Sequence, residues 1–511
     1  MKHSVEIPYF YGEHDLNDEW TVPEFEGLIR PLVDRALTVA ENALAKAGTT
    51  ADELNGILLA GGTSQIPLVK DLIEQRFGLS PKIVPRELMW LVAKGAAIYH
   101  KDLMTRPTDS VKLKLGADLI LETFTQGRIQ QSVLVQGFQS LPHSFSRVFP
   151  VNREMPFLTV QLLSETSSAQ DGSIPLARRE ISTDGLSLSQ VLVKVEIDHN
   201  KTIKLSVHDP RSGLALDRVS IEGDLLGTPE QIRAVRETYS IKVSAPKAST
   251  ARRQSCAIGI DLGTTTCEAV IWDTEDRVYQ HGLEEPLLSQ VLVRPDGRIT
   301  VDNGDHSAKN EGFFNNFKVD IGQENSSRPY VAFGKRWPPE VLSAHLLATI
   351  WAQLQVKYGQ VAPLMEAVIT VPSDFNPDQS AYVRNAAQIA GIENPILLAE
   401  PVAAFLAYAE DFDAVARPDQ TFLIFDFGGG TTDVCVVGTK TFKRVEILGS
   451  DGNNNIGGKD ITEDLASAIL DRFVEKQQVL LKKTEREKLG RLLLPVADKA
   501  KVALSSALGE G

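Results

Sequence analysis

Two stretches of the sequence share one pattern that constrains the fold more than any other feature. Residues 257–272, AIGIDLGTTTCEAVIW, and 422–437, FLIFDFGGGTTDVCVV, each predict a strand, a tight turn and a second strand. Glycines in such turns let the backbone approach an anion without a Cβ in the way. Two such turns facing each other can hold the β- and γ-phosphates of a nucleotide, while carboxylates hold Mg²⁺ mostly through water. The candidate residues are Asp261, Gly263, Thr264 and Thr265 in the first hairpin, and Asp426, Gly428, Gly429, Gly430, Thr431 and Asp433 in the second.

Three further stretches extend this predicted site. ILLAGGTSQIP places a Gly-Gly pair after a strand, where an adenosine can lie on the backbone, and DKAKVALSS offers a polar helical face to ribose and base. GNNNIGGKD resembles a Walker A loop, but Lys459 has no Ser or Thr after it and the glycine spacing is one residue too long. We interpret that stretch as a loop lining the nucleotide cleft. The candidate residues are Gly61, Gly62, Thr63, Gly457, Gly458, Asp498, Lys501 and Ser505.

Each stretch alone has an ordinary explanation. DLGTT is a common turn composition, and a GGT after a strand is a weaker signal still. All of them in one chain, each glycine turn at the end of a strand, favour a nucleotide site over a set of unrelated turns.

The pattern of elements divides the chain. Residues 1–104 read as α/β, with a helix predicted from Phe25 to Gly48, and TRPTDS at 105–110 reads as a linker. Residues 111–222 alternate as short strands, including a hairpin turning at 199–200, and predict an all-β sandwich. A short helix, TPEQIRAVRETY, and a flexible SAPKASTARRQS fill 223–255, and the α/β pattern returns over 256–511.

Composition excludes several classes of protein. The net charge of −14 argues against a nucleic-acid surface, which needs clustered Lys and Arg. No segment approaches 18 uninterrupted apolar residues, so a membrane span is not expected. Three cysteines without a CxxC pair, and a first stretch without the apolar run of a signal peptide, favour a cytoplasmic protein with no zinc site.

These motifs, with VITVPSDFNPDQSAYVRNAAQIAGI and LLAEPVAAFLAYAED, closely resemble the seventy-kilodalton heat-shock chaperones of the DnaK type. That family belongs to the actin-like ATPases. The resemblance implies an α/β fold: a two-lobed, ribonuclease-H-like, actin-like ATPase domain with an all-β peptide-binding sandwich. The motif order is rotated, because the adenosine turn and the sandwich precede the DLGTT hairpin. We therefore expect a circular permutant, with the ATPase domain assembled from both chain ends around an inserted sandwich.

The resemblance also implies roles for single residues. It makes Asp261, Asp426 and Asp433 the acids around Mg²⁺ and the attacking water, with the first two as the metal acids. Thr264, Thr265 and Thr431 become phosphate ligands. Lys318 matches the lysine that stabilises the γ-phosphate, Glu400 matches the acid that couples nucleotide state to the sandwich, and Pro372 matches the switch proline. Phe149 and Leu158 fall near the peptide pocket of the family.

The implied function is an ATP-dependent chaperone that binds ATP or ADP with Mg²⁺ and takes unfolded or extended peptides. J-domain proteins and nucleotide exchange factors are the implied partners, nucleic acids and membranes are not, and a monomer is expected. Four departures keep a nucleotide-binding scaffold open as the alternative: the polar linker, Lys459 in place of an acid, an expected acid missing from VPRELMWLVAKGAA, and a lid reduced to one short helix. A sugar kinase is disfavoured by the predicted sandwich and by TVPSDFN.

Overall fold

The structure is a computed structural model. It describes residues 2–82, 90–105, 111–112, 118–125, 128–135, 142–150, 157–165, 174–182, 190–198, 203–221, 229–243, 256–274, 277–301, 312–322, 330–359, 364–373, 375–411, 419–441 and 444–506.

The first part of the chain forms a hairpin, a long helix and an α/β segment. Thr21 caps the long helix in a capping box with Glu24, and Gly48 ends it with a φ of 63°. The helix predicted from Phe25 to Gly48 is confirmed, although the cap at Thr21 starts it one turn earlier. The elements are β1 (Lys2–Tyr11), β2 (His14–Thr21), α1 (Val22–Ala47), β3 (Gly56–Ala60), α2 (Pro67–Phe77) and α3 (Leu91–Thr105), with short 3-10 helices at Ala51–Glu53 and Gly62–Gln65.

The middle of the chain consists of short strands followed by one helix. The predicted hairpin is confirmed by antiparallel pairing of Ile197 with Ile203, while its turn at 199–200 lies outside the described residues. The elements are β4 (Val111–Lys112), β5 (Asp118–Thr125), β6 (Arg128–Val135), β7 (His143–Pro150), β8 (Phe157–Glu165), β9 (Ile174–Ser182), β10 (Gln190–Ile197), β11 (Ile203–His208), β12 (Ala215–Ile221) and α4 (Pro229–Thr238).

The α/β pattern then returns. Up to residue 411 the elements are β13 (Cys256–Leu262), β14 (Thr266–Asp273), β15 (Tyr279–His281), β16 (Leu287–Leu288), β17 (Gln290–Val293), β18 (Ile299–Thr300), β19 (Phe313–Asn315), a 3-10 helix (Phe317–Asp320), β20 (Val331–Ala332), β21 (Lys335–Arg336), α5 (Pro339–Tyr358), β22 (Glu366–Val371), α6 (Pro377–Ala390), β23 (Asn394–Ala399) and α7 (Glu400–Asp411). Beyond it lie β24 (Gln420–Phe427), β25 (Thr432–Thr441), β26 (Arg444–Asn453), α8 (Gly458–Gln477) and α9 (Lys483–Ser506).

Sheet I has the strand order β15-β14-β13-β22-β23, with β16 paired to β14. Helix α3 lies directly on it: a Cβ at Gly259 of β13 would stand 2.1 Å from the carbonyl oxygen of Ala93. The same helix crosses α7 at Gly95, where a Cβ would stand 1.7 Å from the carbonyl oxygen of Ala403. Glycine is therefore required on β13, where α3 packs on the strand, and on α3 itself, where it contacts α7.

Sheet II has the order β3-β24-β25-β26-β4 and joins distant parts of the sequence. Strand β3 runs parallel to β24, with Leu58 opposite Ile424, and β24, β25 and β26 form an antiparallel run. Buried residues of α1, α2, α8 and α9 share one hydrophobic core with this sheet. The β1–β2 hairpin packs on α8, where the Arg472 guanidinium lies 3.8 Å from the centre of the Trp20 ring.

Strands β5–β12, which lie between β4 and α4, form two four-stranded antiparallel sheets. Sheet III has the order β6-β5-β8-β9, and sheet IV the order β12-β11-β10-β7. Buried side chains of both sheets, among them Leu121 and Leu162 of sheet III and Val193 and Leu205 of sheet IV, belong to one hydrophobic core. Alternate residues of β10 are buried, as the period-two pattern predicts for strands with one face in a core.

Helix α4 and the residues after it dock on the elements around sheet I. The Arg236 guanidinium donates to the carbonyl oxygens of Gln388 and Ile389 at the end of α6. Ile241 is buried in the core that α5 and α6 share with sheet I. The predicted spacer at 223–255 thus contains a packed element, while SAPKASTARRQS itself lies outside the described residues. At the predicted linker of 105–110, Thr105 still belongs to α3, and 106–110 also lie outside the described residues.

The α/β class predicted from the sequence is confirmed. Within the described ranges, no helix is both long and apolar enough to cross a membrane. The three cysteines are buried free thiols.

Candidate nucleotide site

The two predicted hairpins are present, and their turns touch. Strands β13 and β14 are joined at residues 263–265, and β24 and β25 at residues 428–431. A Cβ at Gly429 would lie 1.9 Å from Oγ1 of Thr265, and one at Gly430 would lie 2.5 Å from Cγ2 of Thr264. Only glycine allows this approach, so the sequence of the second turn is explained by the position of the first.

The predicted adenosine turn packs against the second hairpin. Gly61 follows β3 with a φ of +77°, and a Cβ there would lie 2.4 Å from Oδ1 of Asp426. The hydroxyl of Thr63 donates to the carbonyl oxygen of Gly428 at 2.8 Å. Gly62 next to it faces open space, because a Cβ there would meet no described atom within 4 Å. The parallel pairing of β3 with β24 thus carries the turn at 61–63 to the acid turn.

The loop before α8 joins the same cluster. The N–H of Gly458 donates to the carbonyl oxygen of Gly428 at 3.0 Å, and a Cβ at Gly457 would stand 2.6 Å from the carbonyl carbon of Gly430. The backbone N–H of Lys459 donates to the carbonyl oxygen of Gly429 at 2.7 Å. The loop before α8 is therefore hydrogen-bonded to the glycine turn at 428–430.

Of the three candidate residues of α9, Lys501 contacts this cluster directly, and Asp498 and Ser505 are hydrogen-bonded to Lys501. Nζ of Lys501 donates to the carbonyl oxygen of Gly458 at 3.2 Å, to Oγ1 of Thr462 at 2.9 Å and to Oδ1 of Asp498 at 2.6 Å. The hydroxyl of Ser505 donates to the carbonyl oxygen of Lys501 at 2.7 Å. All three ammonium hydrogens of Lys501 thus have acceptors in the protein, and they tie α9 to the start of α8.

Lys318 and Glu400 form a buried ion pair on the side of sheet I. Glu400 is the first residue of α7, and Lys318 lies in the 3-10 helix after β19; their side chains are 9% and 3% exposed. Burial lowers the pKa of Lys318, but the charges of Glu400 and Asp261 raise it by more, so the net shift is upward and the ammonium stays charged. The pair places a fixed positive charge in a dry site, where electrostatic effects are strong.

The surroundings of Asp261 and Asp426 raise the pKa values of both carboxyls. Burial, reinforced by the charge of Glu400, raises the pKa of Asp261 to about 6, although Lys318 and a 2.7 Å hydrogen bond from Thr370 oppose the shift. Burial and the charges of Glu400 and Asp261 raise the pKa of Asp426 well above its usual value. A cation beside these two acids would offset both the burial and the repulsion that raise their pKa values.

The donor set fits Mg²⁺ held mainly through water. Among the described residues, no group of three or more His, Cys, Asp or Glu side chains is placed to ligate a metal directly. Mg²⁺ often keeps several waters and uses one or two carboxylates together with substrate phosphates. Asp261 and Asp426 are the residues that would hold it.

Asp433 is held from the opposite sheet. It is 1% exposed on β25 of sheet II, and its Oδ1 accepts the N–H of Ser373 at 2.8 Å and the hydroxyl of Ser373 at 3.2 Å. Ser373 follows β22 of sheet I and Pro372. Thr431 is buried, and its carbonyl oxygen accepts the N–H of Gly428 at 2.9 Å, which closes the second turn.

Sequence reasoning missed three polar residues of this site. Thr370 and Ser373 sit in the TVPSDF run, where only Pro372 was given a role, and both donate to the acids. Glu268 is 1% exposed on β14, directly opposite Asp261 in the strand ladder. A charged residue inside the otherwise apolar run CEAVIW was the signal that could have revealed Glu268.

The two residues expected at a peptide pocket lie on different sheets. Phe149 is buried on β7 of sheet IV, opposite Val191, with the Arg147 guanidinium 5.6 Å from its ring centre. Leu158 lies on β8 of sheet III, where it pairs with Ile181. The structure thus brings the nucleotide candidates into one cluster, whereas it places the two peptide candidates on separate sheets.

Comparison with known families gives a match over most of the chain. A family model described as "Hsp70 protein" matches residues 2–244 and 302–509. Lys318, Glu400 and the second hairpin lie within the matched ranges, and the first hairpin lies between them.

Curated relatives are similar to about half of the chain. The chaperone protein DnaK of Endomicrobium trichonymphae is 33% identical over 263 residues, which is 49% of this chain and 40% of that protein. DnaK of Thermoplasma volcanium is 31% identical over 250 residues, 49% of this chain and 36% of the relative. DnaK of Thermus thermophilus is 33% identical over 280 residues, 49% of this chain and 43% of the relative. The chain thus spans about 40% of the length of these relatives.

Proposed function

The chain belongs to the Hsp70 family, and on this premise we propose that it is an ATP-dependent chaperone. It binds and hydrolyses Mg-ATP and uses the nucleotide state to change its affinity for extended apolar peptide segments. The observation that carries the proposal is the convergence of four glycine-containing segments on the acids Asp261, Asp426 and Asp433, with the Lys318–Glu400 pair beside them.

The geometry suits phosphoryl transfer to water, which depends mostly on positioning and charge neutralisation. The glycine turns at 263–265 and 428–430 admit phosphates close to the backbone, and Thr264, Thr265 and Thr431 supply the hydroxyls. Bound Mg²⁺ would neutralise and orient the phosphate oxygens. Lys318, kept charged and oriented by Glu400, stabilises charge that develops on the transferred group, and Asp433 orients the attacking water.

The proposed architecture is a two-lobed, actin-like ATPase domain built from both ends of the chain. Sheet I forms the core of one lobe and sheet II that of the other. Pairing of β3 with β24 supports this assembly, because it puts residues 56–60 beside residues 422–426. The motif order is that of a circular permutant, closed within a monomer. Sedimentation with bound ATP tests the closure: a monomer that binds ATP agrees with it, and ATP binding confined to a dimer contradicts it.

Sheets III and IV are the proposed peptide-binding sandwich. Their shared apolar core and their edge strands suit an extended segment bound through main-chain hydrogen bonds and a small pocket. Phe149 and Leu158 remain the proposed pocket residues. Unfolded segments are the proposed substrates, and J-domain proteins and nucleotide exchange factors the proposed partners.

Steady-state ATP hydrolysis by the full chain, with and without an unfolded apolar peptide, tests this function. Lys318→Ala should retain nucleotide binding but lower turnover on the order of 100-fold, because loss of one charge that acts in the transition state typically costs about 3 kcal/mol. Lys70→Ala, at an exposed lysine of α2, is the matched control and should behave as wild type. Unchanged turnover in Lys318→Ala removes this lysine from the mechanism. ATP binding without any turnover in the wild type would favour the nucleotide-binding scaffold instead.

A further inference from the structure

One serine connects the two halves of the candidate site. Ser373 follows β22 of sheet I, whereas Asp433 lies on β25 of sheet II. The N–H and the hydroxyl of Ser373 both donate to the same oxygen, Oδ1 of Asp433, at 2.8 Å and 3.2 Å. The two residues are 6% and 1% exposed, so water competes poorly for this carboxylate.

Ser373 lies between the end of β22 and the start of α6. Pro372 before it has no N–H, so Ser373 carries the first backbone donor after β22. The N–H of Phe375 donates to the carbonyl oxygen of Pro372 at 3.3 Å. Asn376 then caps α6 in a capping box with Gln379. Ser373 thus follows a strand of sheet I and lies just before a capped helix start.

The hydroxyl is what the serine side chain adds. Any residue other than proline at this position would keep the backbone hydrogen bond to Asp433. The hydroxyl supplies a second donor to the same oxygen, and two donors restrict the rotation of a carboxylate more than one does. Hydrogen bonds to a charged acceptor are also stronger than those between neutral groups.

We propose that Ser373 is a positioning residue that orients Asp433 and latches the cleft between sheets I and II. The inference rests on the proposed ATPase function. With the sheets together, Asp433 has both donors and a fixed orientation toward the attacking water. When the sheets separate, it loses both donors in one step, so hydrolysis is confined to the closed cleft and nucleotide leaves only after the latch has opened.

The test compares two buried serines that lie close in sequence. Ser373→Ala removes the hydroxyl that binds Asp433. Ser380→Ala on α6 is the matched control, because its fully buried hydroxyl has no hydrogen-bond partner among the described residues. We expect Ser373→Ala to lower kcat about tenfold with little change in the KM for ATP, since one hydrogen bond to a charged group is lost. ADP, followed as a fluorescent analogue, should dissociate about tenfold faster from this variant. Ser380→Ala should match the wild type in all three quantities.

A double-variant cycle separates positioning from general destabilisation. In an Asp433→Ala background, Ser373→Ala should have much less effect on kcat and on ADP dissociation than in the wild type, because the oxygen that accepts the hydroxyl is gone. Fully additive effects would overturn the inference, since they would show that the serine acts elsewhere.

The readouts also separate this inference from the proposed function. A wild type that hydrolyses ATP, with Ser373→Ala identical to it in kcat and ADP dissociation, overturns the latch and leaves the ATPase standing. A wild type that binds ADP without hydrolysing ATP overturns the ATPase, and the rate of ADP dissociation alone then decides the latch. A wild type that binds no nucleotide overturns both.

Discussion

The hairpins β13–β14 and β24–β25 have the same arrangement of acids, but the second acid of each has different hydrogen-bond partners. DLGTTTCE at 261–268 and DFGGGTTD at 426–433 have the same length, and each begins and ends with an acid. In both, the two acids face each other across the strand ladder: Asp261 opposite Glu268, and Asp426 opposite Asp433. Residues that are directly opposite in a ladder project from the same face of the sheet, so each hairpin carries two carboxyls side by side.

The difference lies in what holds the second acid. Asp433 accepts two hydrogen bonds from Ser373, whereas neither carboxyl oxygen of Glu268 has a hydrogen-bond partner in the described structure. Burial, reinforced by the charge of Asp261, raises the pKa of Glu268 to about 8. A buried carboxyl without partners is costly to ionise. The comparison indicates that the second acid of the sheet II hairpin is held by two hydrogen bonds, while the second acid of the sheet I hairpin keeps its proton to higher pH.

The largest expected effect contrasts the two second acids directly. Asp433→Asn should lower the ATPase kcat on the order of 100-fold, because the amide keeps the size of the side chain but loses the charge that orients water. Glu268→Gln should leave kcat near the wild-type value, since a protonated carboxyl and an amide are both neutral. Steady-state ATP hydrolysis at pH 7 measures both variants.

Two results would break this comparison. Equal losses in both variants would mean that Glu268 also takes part in the reaction in its charged form. Full activity of Asp433→Asn would show that the hydrogen-bonded acid only supports the structure. Nucleotide affinity of each variant provides the control, because a loss of binding would explain low activity without any role in the chemical step.

The second effect concerns stability. The folded protein keeps the Glu268 proton up to about pH 8, whereas the unfolded chain releases it near the ordinary pKa of 4.5. The contribution of this group is therefore fully present below pH 4.5 and is lost as pH rises through about 8. Between about pH 5 and pH 8, the wild type should lose on the order of 3 kcal/mol of unfolding free energy relative to Glu268→Gln. Urea unfolding across that range measures this difference.

Glu487→Gln, at an exposed glutamate of α9, is the matched control for the unfolding series and should follow the wild type. Parallel stability curves for the wild type and Glu268→Gln would show that Glu268 is ionised in the folded protein. The carboxyl would then need a partner, and the contrast between the hairpins would disappear.

The hairpins themselves are predictable from the sequence, but the hydrogen-bond partners of their acids are not. Alternating apolar residues and glycine turns predict local structure, so β13–β14, β24–β25, α1 and the turn after β3 were found. The contact between Ser373 and Asp433 spans 60 residues of sequence and two sheets. Such a contact has no local periodicity and depends on how the sheets meet. The docking of α4 on α6 was missed for the same reason, because its short amphipathic helix predicts an apolar face but not the surface that covers it.

The smallest expected effect concerns the first acid of sheet I. Fully buried Thr370 donates to Oδ1 of Asp261 at 2.7 Å, and this hydrogen bond opposes the burial that raises the pKa of Asp261 to about 6. Thr370→Val keeps the shape of the side chain and removes the donor, so the pKa of Asp261 should rise further. More of the acid is then protonated near neutral pH in the free enzyme, and the acidic limb of the kcat/KM profile, which reports the free enzyme, should move up by about one pH unit, with little change above pH 8. Thr38→Val, at an exposed threonine of α1, should leave the profile in place. A loss of activity of equal size at every pH would instead indicate that Thr370 acts by packing, and the hydroxyls of Thr370 and Ser373 would then have different roles in the two hairpins.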